Sequence, residues 1–323
     1  MIRQNNAING YSEQIIVFID VLGFSEAIRE SASSRDNYDK VNNILLKLKE
    51  LAVSEVESTQ RANIPPIKIS SFSDSIVASC PVVSELSFDI MLLIMCQFFL
   101  TTISHGFFLR GSLTIGPFQE DDGILFGPAL VRAYEIERSL ALWPRCVIDP
   151  FLIARHDIYP DGVWNKHQYI LLGDDGLPFL DYLGYTFGHY FYNWIEERMK
   201  DNGHKHNENP EHLALTVLHG HKNAIFQAVR KAARKKESAS TLFTKFFPLA
   251  AYHNKVIERF IDVSRPGRLD DLKKFAIEGG LEPAIVDNLE KEIVDDDASR
   301  WRSELIDLNS LLNEMWSTEI IPS

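Results

Sequence analysis

Two aspartates interrupt strand-like segments, at points where a carboxylate can serve chemistry without disturbing a core. Asp20 closes the apolar run VFI, and Asp74 lies between the runs IKISSF and SIVASC. If a sheet brings both side chains to one edge, each negative charge raises the pKa of the other unless a cation lies between them. Carboxylate oxygens are the ligands that Mg2+ and Mn2+ prefer. The pair therefore predicts a site for divalent metal ions.

The residues after Asp20 predict a turn that can hold phosphates. They run through Val21, Leu22, Gly23, Phe24 and Ser25 into a helix. Backbone N–H groups at the N-terminus of a helix attract anions. In this turn Gly23 lets the backbone approach a ligand closely, and Ser25 is the expected N-cap and a candidate hydroxyl contact.

Hydrophobic periodicity predicts the elements that position these residues. In chain order they are a strand 15–20, helices 24–31 and 36–57, a hairpin of IKISSF and SIVASC, a helix 84–105, a strand 107–116, a solvated acidic turn 120–123, a short strand ILF, a helix 128–142 and a strand RCVIDP. The order βααββαβ is that of an α+β, ferredoxin-like sheet with helices on one face. In such a sheet the first strand lies centrally, beside the strand that leads into the hairpin. Asp20 and Asp74 are then expected at one edge.

The chain is expected to have three parts. Residues 1–150 form the core, residues 151–262 add strands and helices that complete the domain, and residues 263–323 form an acidic helical segment. The extension after the core is mostly helical, with helices over 211–236 and 241–261. Five histidines between residues 204 and 221 lack the cysteine or buried carboxylate typical of a zinc site, which favours a mobile polar segment.

The composition of the chain argues against several classes of protein. The chain has 323 residues, 45% of them hydrophobic, which is enough for a full core, and its net charge of −12 argues against nucleic acid as a partner. The three cysteines form no CxxC pair, so we expect free thiols and a cytoplasmic location. The apolar run 90–103 is interrupted by Gln97 and two threonines, which favours a core helix over a membrane span.

Four segments resemble the motifs of class III nucleotidyl cyclases. FIDVLGFS resembles the signature F-x-D-I-x-G-F-T, and SSFSDSIVAS resembles the hairpin that carries the second metal-binding aspartate. RGSLTIGPF and FGPALVRAYEIE resemble the strand R-x-G-I-H-x-G-P and the helix G-D-x-V-N-x-A-x-R-x-E, so the resemblance covers roughly residues 13–150. DGLPFLDYL and LAAYHNKVI are similar to segments of the bacterial pyrimidine nucleotide cyclases of Pycsar anti-phage systems.

This resemblance implies an activity. It makes Asp20, Asp74 and the carbonyl of Val21 ligands of two Mg2+ or Mn2+ ions per active site, and it makes residues 22–25 the triphosphate cradle. The expected reaction converts a pyrimidine nucleoside triphosphate, UTP or CTP, to its 3′,5′-cyclic monophosphate and pyrophosphate, as a second messenger in anti-phage defence. The resemblance also implies a homodimer with active sites at the interface. The lack of an apolar run long enough to span a bilayer predicts no membrane partner.

The departures from the family pattern bear on the substrate. Ser70 stands where purine cyclases have a base-reading Lys or Glu, and Ile124 stands where they have its partner Asp. Val131 and Glu135 stand where the family has the Asn and Arg that stabilise the transition state. Two alternatives therefore remain, a purine cyclase with an unusual pocket and a cyclase-like module that binds nucleotide without turnover.

Other residues are candidates for the missing roles. Arg110 is the first candidate for the cation at the α-phosphate, followed by Arg132 and Arg138 on the helix 128–142. Tyr134, on the same helix, is a candidate for contact with the base, and Ser70 lies where the family reads it.

Overall fold

The structure of the chain is a computed structural model. It describes residues 10–39, 41–43, 46, 67–72, 75–83, 85–121, 124–155, 169–185, 210–263 and 302–316. The chain divides into two compact units, Met1–Tyr185 and Thr186–Ser323. The predicted division of the chain at residues 150 and 262 stays a prediction.

The first unit alternates strands and helices in nearly the predicted order. Its elements are β1 (Ser12–Leu22), α1 (Phe24–Ser31), β2 (Lys68–Phe72), β3 (Ser75–Pro81), α2 (Glu85–Ser104), β4 (Phe108–Asp121), β5 (Ile124–Phe126), α3 (Pro128–Leu140), β6 (Cys146–Ile148), α4 (Pro150–Arg155), β7 (Ile170–Leu172) and β8 (Pro178–Leu180). Most of the predicted helix 36–57 lies outside the described residues.

The strands form a mixed sheet with the order β2-β3-β1-β4-β6-β8-β7, and β5 pairs with β4. Its first four strands are antiparallel and have the ferredoxin-like order, so the predicted α+β class is confirmed. The neighbour of β1 is β3, which leaves the hairpin, and not β2, which leads into it. β3 is the inner strand of the hairpin and β2 is the edge strand. This arrangement suits their residues, because Ile76 to Cys80 of β3 are all buried, whereas β2 exposes Lys68 and Ser71.

The side chains on both faces of the sheet are buried. Successive side chains of a strand point to opposite faces. Ile16 packs with Ala129 and Ala133 of α3 on one face. On the other face Ile15 and Val17 have no exposed surface. Burial of both side-chain sets explains why β1 is an almost continuous apolar run.

Helix α2 is a core helix, as predicted. It contacts β3 and β4. Its segment Ser87–Ser104 is long and apolar enough to cross a membrane, the one such segment among the described residues, but 61% of it is buried inside the fold. The three cysteines form no disulfide with one another and are buried, and burial raises the thiol pKa of Cys80 to about 11 and that of Cys146 to about 12. These thiols are protonated and unreactive at neutral pH.

The sheet continues beyond residue 150. Strands β7 and β8 form an antiparallel hairpin within the part 151–262 that was expected to add strands. The turn of this hairpin is anchored by Arg145, which is buried and donates hydrogen bonds to both carboxylate oxygens of Asp175. Asp175 is the first residue of the segment DGLPFLDYL, so this ion pair fixes the start of the segment in the fold.

The predicted solvated turn at residues 120–123 was wrong for its first half. Glu120 and Asp121 belong to β4 and pair with Leu125 and Ile124 of β5. Hydrogen bonds from Ser70 and Ser79 hold the Glu120 side chain against the sheet.

The second unit is helical in its described residues. It contains α5 (Pro210–Arg234), α6 (Ala239–Val263) and α7 (Leu308–Trp316), and α5 and α6 confirm the two predicted helices. The predicted acidic helical segment is described only over residues 302–316. Three of these histidines, His212, His219 and His221, lie in α5, so the prediction of a mobile polar segment was wrong for them.

A buried histidine pair joins α5 to α6. The rings of His221 and His253 are stacked, and their Nδ1 atoms are 3.1 Å apart. His253 Nε2 lies 2.9 Å from the carbonyl oxygen of Glu304. A carbonyl only accepts, so His253 carries its proton on Nε2, and His221 must donate from Nδ1 to the bare Nδ1 of His253. Both hydrogen bonds form when both imidazole rings are neutral.

Asn254 fastens the segment before α7 to α6. Its amide donates to the carbonyl of Ile306 at 2.9 Å and accepts from the backbone N–H of Ile306 at 2.7 Å. Ile306 is 2% exposed, so both backbone groups depend on this side chain. We expect Asn254→Ala to lower the free energy of unfolding by about 1–3 kcal/mol, because two buried polar groups lose their partner.

This prediction is checked by chemical denaturation monitored by circular dichroism. Asn309→Ala is the matched control, because Asn309 lies nearby and the structure uses its backbone N–H, not its side chain, to bond Asp307. Equal stabilities of Asn254→Ala and wild type would contradict the assigned role.

Candidate active site

Asp20 lies at the end of the central strand, beside the hairpin. Its register partner on β3 is Ser75, the residue that follows Asp74 in the chain. The Asp20 side chain is 24% exposed, so its carboxylate is within reach of a ligand. Asp74 itself lies outside the described residues, and the pairing of the two aspartates around metal ions stays a prediction.

Arg110 lies between two carboxylates at this end of the sheet. It is the register partner of Asp20 on β4, and its Nη2 is 3.3 Å from Asp20 Oδ2. Its Nε is 2.6 Å from Oε1 of Glu137 on α3. One guanidinium therefore joins the first predicted metal ligand to the helix that covers the sheet.

Glu137 is a buried carboxylate that the sequence analysis did not select. Its side chain is 5% exposed. Burial raises the pKa of Glu137 above its ordinary value, the charge of Asp20 adds to this shift, and the contact with Arg110 opposes it. The helix motif that carries the resemblance ends at this residue, which was the only signal in the sequence.

The predicted phosphate turn is present, with a different cap. Gly23 is the N-cap of α1 and has φ 77°, a backbone conformation that glycine adopts without strain. A Cβ atom at Gly23 would meet nothing within 4 Å, so the space beside the turn is open. Ser25 lies inside the helix and is not the cap, because the chain enters the helix at Phe24. No side chain caps α1.

The flanking apolar residues of this turn hold it to the core. Val21 and Phe24 are each 2% exposed, and the ring of Phe24 packs edge-on against Phe107 at 6.1 Å between centroids. Leu22 is half-buried. The backbone of the turn, and not these side chains, is the part of it that can meet a ligand.

Arg132 is not brought to Asp20. Its guanidinium makes two hydrogen bonds of 3.0 Å with both carboxylate oxygens of Asp149, which also accepts from Thr114. These hydrogen bonds hold the pKa of Asp149 below its ordinary value against the effect of burial. Arg132 therefore ties α3 to the segment after β6.

Tyr134 lies over the sheet face that carries Asp20. Its ring packs edge-on against Phe18 at 5.6 Å between centroids, and it is 44% exposed. Phe18 and Asp20 point to the same face because they are two residues apart on β1. Arg138 lies one turn further along α3, and its Nη1 is 3.5 Å from the hydroxyl of Tyr134.

Ser70 lies in a polar cluster that the sequence did not indicate. Glu120 Oε2 accepts a hydrogen bond from Ser79 at 3.0 Å, and Oε1 accepts one from Ser70 at 3.4 Å. The Glu120 side chain is 14% exposed. Sequence distance hides this contact, because β2, β3 and β4 bring the three residues together only in the folded sheet.

The two positions of α3 that depart from the family pattern point to solvent. Val131 is 58% exposed, and Glu135 is also exposed. Neither side chain is buried where it could be needed for folding. The fold of α3 therefore does not depend on these two side chains.

The described residues contain no cluster of three or more His, Cys, Asp and Glu side chains that could hold a metal ion. Asp20 supplies oxygen donors at an accessible strand end, which is the donor chemistry of Mg2+ and Mn2+. Arg110 already neutralises part of its charge, so a metal ion at Asp20 would share this carboxylate with the guanidinium.

No protein family profile and no curated protein matches the chain. Among solved structures, it is similar to the monomeric guanylyl cyclase domain of the RhoGC fusion protein from the aquatic fungus Blastocladiella emersonii, with 14% identity, 52% of this chain and 94% of that chain covered, and a TM-score of 0.35. It is also similar to the catalytic core of a rhodopsin-guanylyl cyclase with converted specificity in complex with ATPαS, with 14% identity, coverages of 53% and 95%, and a TM-score of 0.35. At these identities and TM-scores no activity or substrate is transferred to this chain.

Proposed function

We propose that this chain is a nucleotidyl cyclase that converts a pyrimidine nucleoside triphosphate, UTP or CTP, to its 3′,5′-cyclic monophosphate and pyrophosphate. The observation that carries the proposal is the arrangement around Asp20. An accessible carboxylate, a guanidinium and an open glycine turn at a helix N-terminus lie together at one end of the central strand. Motifs with the order and spacing of class III cyclases run through the same residues.

The reaction needs an attacking oxygen, a charge-stabilised phosphorus and a stabilised leaving group. The ribose 3′ oxygen forms a bond to the α-phosphorus, the bond from that phosphorus to the oxygen bridging to the β-phosphorus breaks, and the 3′ hydroxyl proton passes to solvent. Two Mg2+ or Mn2+ ions held by Asp20, Asp74 and the Val21 carbonyl would supply activation of the 3′ oxygen and neutralisation of pyrophosphate. No protein nucleophile takes part.

Arg110 has the place and the charge for contact with the phosphates. It lies 3.3 Å from Asp20, and Glu137 holds its Nε while Nη2 points to the site. A fixed cation next to the developing negative charge stabilises the transition state without having to reorganise. The backbone of residues 22–25 would receive the remaining phosphate oxygens.

The substrate class follows from the absent purine readers. A serine at residue 70 and an exposed isoleucine at residue 124 replace the polar pair that would recognise a purine. We further propose a cytoplasmic homodimer with sites at the interface, which makes a second messenger in anti-phage defence. The exposed apolar side chains of Val131 and Phe126 are suited to burial against a second protomer.

The proposal is tested by incubating the purified full chain with each of ATP, GTP, CTP and UTP and Mn2+, and identifying products by mass spectrometry. We expect a cyclic pyrimidine monophosphate and equimolar pyrophosphate. Cyclic AMP or cyclic GMP as the main product would replace the proposal by a purine cyclase. Metal-dependent nucleotide binding by calorimetry, with no product in single-turnover assays, would replace it by an inactive module that binds nucleotide. Val131 and Glu135 favour this candidate, because they stand where cyclases have the Asn and Arg that stabilise the transition state.

A further inference from the structure

Three charged side chains, Asp20, Arg110 and Glu137, meet at the end of β1 and form what we call the strand-end triad. Arg110 Nη2 lies 3.3 Å from Asp20 Oδ2, and Arg110 Nε lies 2.6 Å from Glu137 Oε1. A guanidinium stays protonated in proteins, so Asp20 and Arg110 together carry no net charge. A pair without net charge attracts a divalent cation only weakly. The charge of Glu137 therefore decides whether this strand end is negative.

Glu137 is placed to supply charge and not to bind a metal ion itself. Its side chain is 5% exposed, whereas that of Asp20 is 24% exposed, so an ion from solvent reaches Asp20. The two carboxylates contact different nitrogens of the guanidinium and do not compete for one donor. Ala133 and Ile136 are buried against the sheet and fix this part of α3, which holds Glu137 in place.

The other two arginines of α3 are less well placed to set the charge at Asp20. Arg132 is bound by both carboxylate oxygens of Asp149. Arg138 acts on Glu137 electrostatically, but its side chain is exposed, so solvent and salt screen its charge. Arg110 is the cation in contact with Asp20, and Glu137 is the carboxylate that opposes it from inside the fold.

We propose that Glu137 is a positioning residue that keeps the strand-end triad negative, so that Asp20 can bind a divalent ion while Arg110 stays beside it. The inference rests on the proposed function, in which Asp20 is a metal ligand, and it adds the residue that sets the affinity for the metal. With Glu137 neutral, the charge of Arg110 would face Asp20 unopposed and repel the ion. Glu137 also holds Arg110 Nε, which leaves Nη2 at the site.

The size of the effect follows from the loss of one negative charge near the ion. Even with the dielectric constant of bulk water, Coulomb's law for a unit charge and a divalent ion roughly 8 Å apart corresponds to about 5-fold in affinity. A lower effective dielectric constant at this partly buried place enlarges the factor. We therefore expect Glu137→Gln to weaken the binding of Mn2+ by about 5-fold or more.

The experiment measures the binding of Mn2+ alone to the full chain, without nucleotide and at low ionic strength, from the electron paramagnetic resonance signal of free Mn2+. Asp20→Asn locates the site and is expected to lose this binding. Glu137→Asp keeps the charge and is expected to bind Mn2+ more tightly than Glu137→Gln. Asp39→Asn is the matched control, because it also removes a carboxylate paired with an arginine, and it is expected to bind as the wild type does.

A compensating variant separates charge from a merely structural role. Arg110→Gln removes the positive charge and is expected to bind Mn2+ more tightly than the wild type. The double variant of Arg110→Gln and Glu137→Gln has the net charge of the wild-type triad, so we expect its affinity to return close to that of the wild type. Loss of a structural contact would not be repaired by a second loss. If Glu137→Gln does not fold, the tighter binding by Arg110→Gln still tests the charge balance.

The outcomes separate this inference from the proposed function. Equal Mn2+ affinities of Glu137→Gln and wild type overturn the inference, and so does a double variant that binds no better than Glu137→Gln. An Arg110→Gln variant that binds no more tightly than the wild type overturns it as well. Mn2+ binding that is absent, or that Asp20→Asn leaves unchanged, overturns the inference together with the metal role of Asp20. The expected pattern of Mn2+ affinities without any cyclic product from the four triphosphates overturns the proposed cyclase function and leaves the inference standing.

Discussion

Replacement of Asp20 by Asn is expected to reduce the rate of cyclisation by about 10³-fold or more. The amide has no negative charge with which to hold a divalent ion, and such ions contribute several kcal/mol to transition states of this kind, at about 1.4 kcal/mol per factor of ten. The substitution preserves the size of the side chain. Arg110 keeps its contact with Glu137, so the fold at this strand end should persist. Initial rates of cyclic nucleotide formation with Mn2+ measure the effect.

The control for Asp20 is another aspartate paired with an arginine. Asp39 pairs with Arg35 on the surface of the first unit, with 46% of its side chain exposed. We expect Asp39→Asn to have the wild-type rate and both variants to have circular dichroism spectra like that of the wild type. An Asp20→Asn protein as active as Asp39→Asn would exclude Asp20 as a metal ligand and the proposed mechanism with it.

The second unit is expected to lose stability when the pH falls from 7 to 5, because of the histidine pair. Burial lowers the pKa of His253 from 6.5 to about 4, the carbonyl of Glu304 opposes this shift, and the charge of Lys222 adds to it. Burial and the neighbouring His253 lower the pKa of His221 well below its ordinary value. The native state therefore holds both rings neutral where the unfolded chain takes up protons.

The sign and size of the pH dependence of stability follow from this difference in proton binding between the folded and unfolded states. The contribution of neutral His253 to the free energy of unfolding is fully present above the unfolded pKa of 6.5. It is lost as the pH falls towards the folded pKa of about 4. For His253 alone the loss between pH 7 and pH 5 is about 2 kcal/mol, and His221 adds a loss of the same sign. Urea unfolding at a series of pH values measures the dependence.

Two variants test whether the pair causes this dependence. His221→Phe keeps a ring against His253 and removes one titrating group, so we expect a weaker dependence on pH. His219→Gln is the control, because His219 is 62% exposed and pairs with the carboxylate of Glu304. Equal pH dependence in His221→Phe and wild type would contradict the assignment.

Several features of the fold could be predicted from local patterns. β1 and α1 follow from an apolar run, a glycine and an amphipathic segment, and the hairpin of β2 and β3 follows from two β-rich runs with a short connection. The burial of both sheet faces can also be predicted, although a ferredoxin-like order alone does not state which faces are buried. β1 itself carried the signal, since a strand buried on both faces is apolar at nearly every position.

The partners of the charged side chains could not be predicted in the same way. Arg110 and Arg132 are both arginines near one end of the expected site, but Arg132 is held by Asp149, while Arg110 lies beside Asp20. Glu120 was assigned to a solvated turn because its neighbours are acidic. Its burial depends on Ser79 of a different strand.

The sequence by itself determined that an aspartate ends the first strand beside a glycine turn, and that the strands follow in a ferredoxin-like order, because these properties depend on the spacing of neighbouring residues. Only the tertiary structure decided that Arg110 is shared by Asp20 and Glu137, that Glu120 meets two serines, and that two histidines share a buried hydrogen bond. The physical reason is that the free energy of a charge or a polar group depends on its distance from partners in space and on its burial. Both are set by the folding of segments that are far apart in the chain.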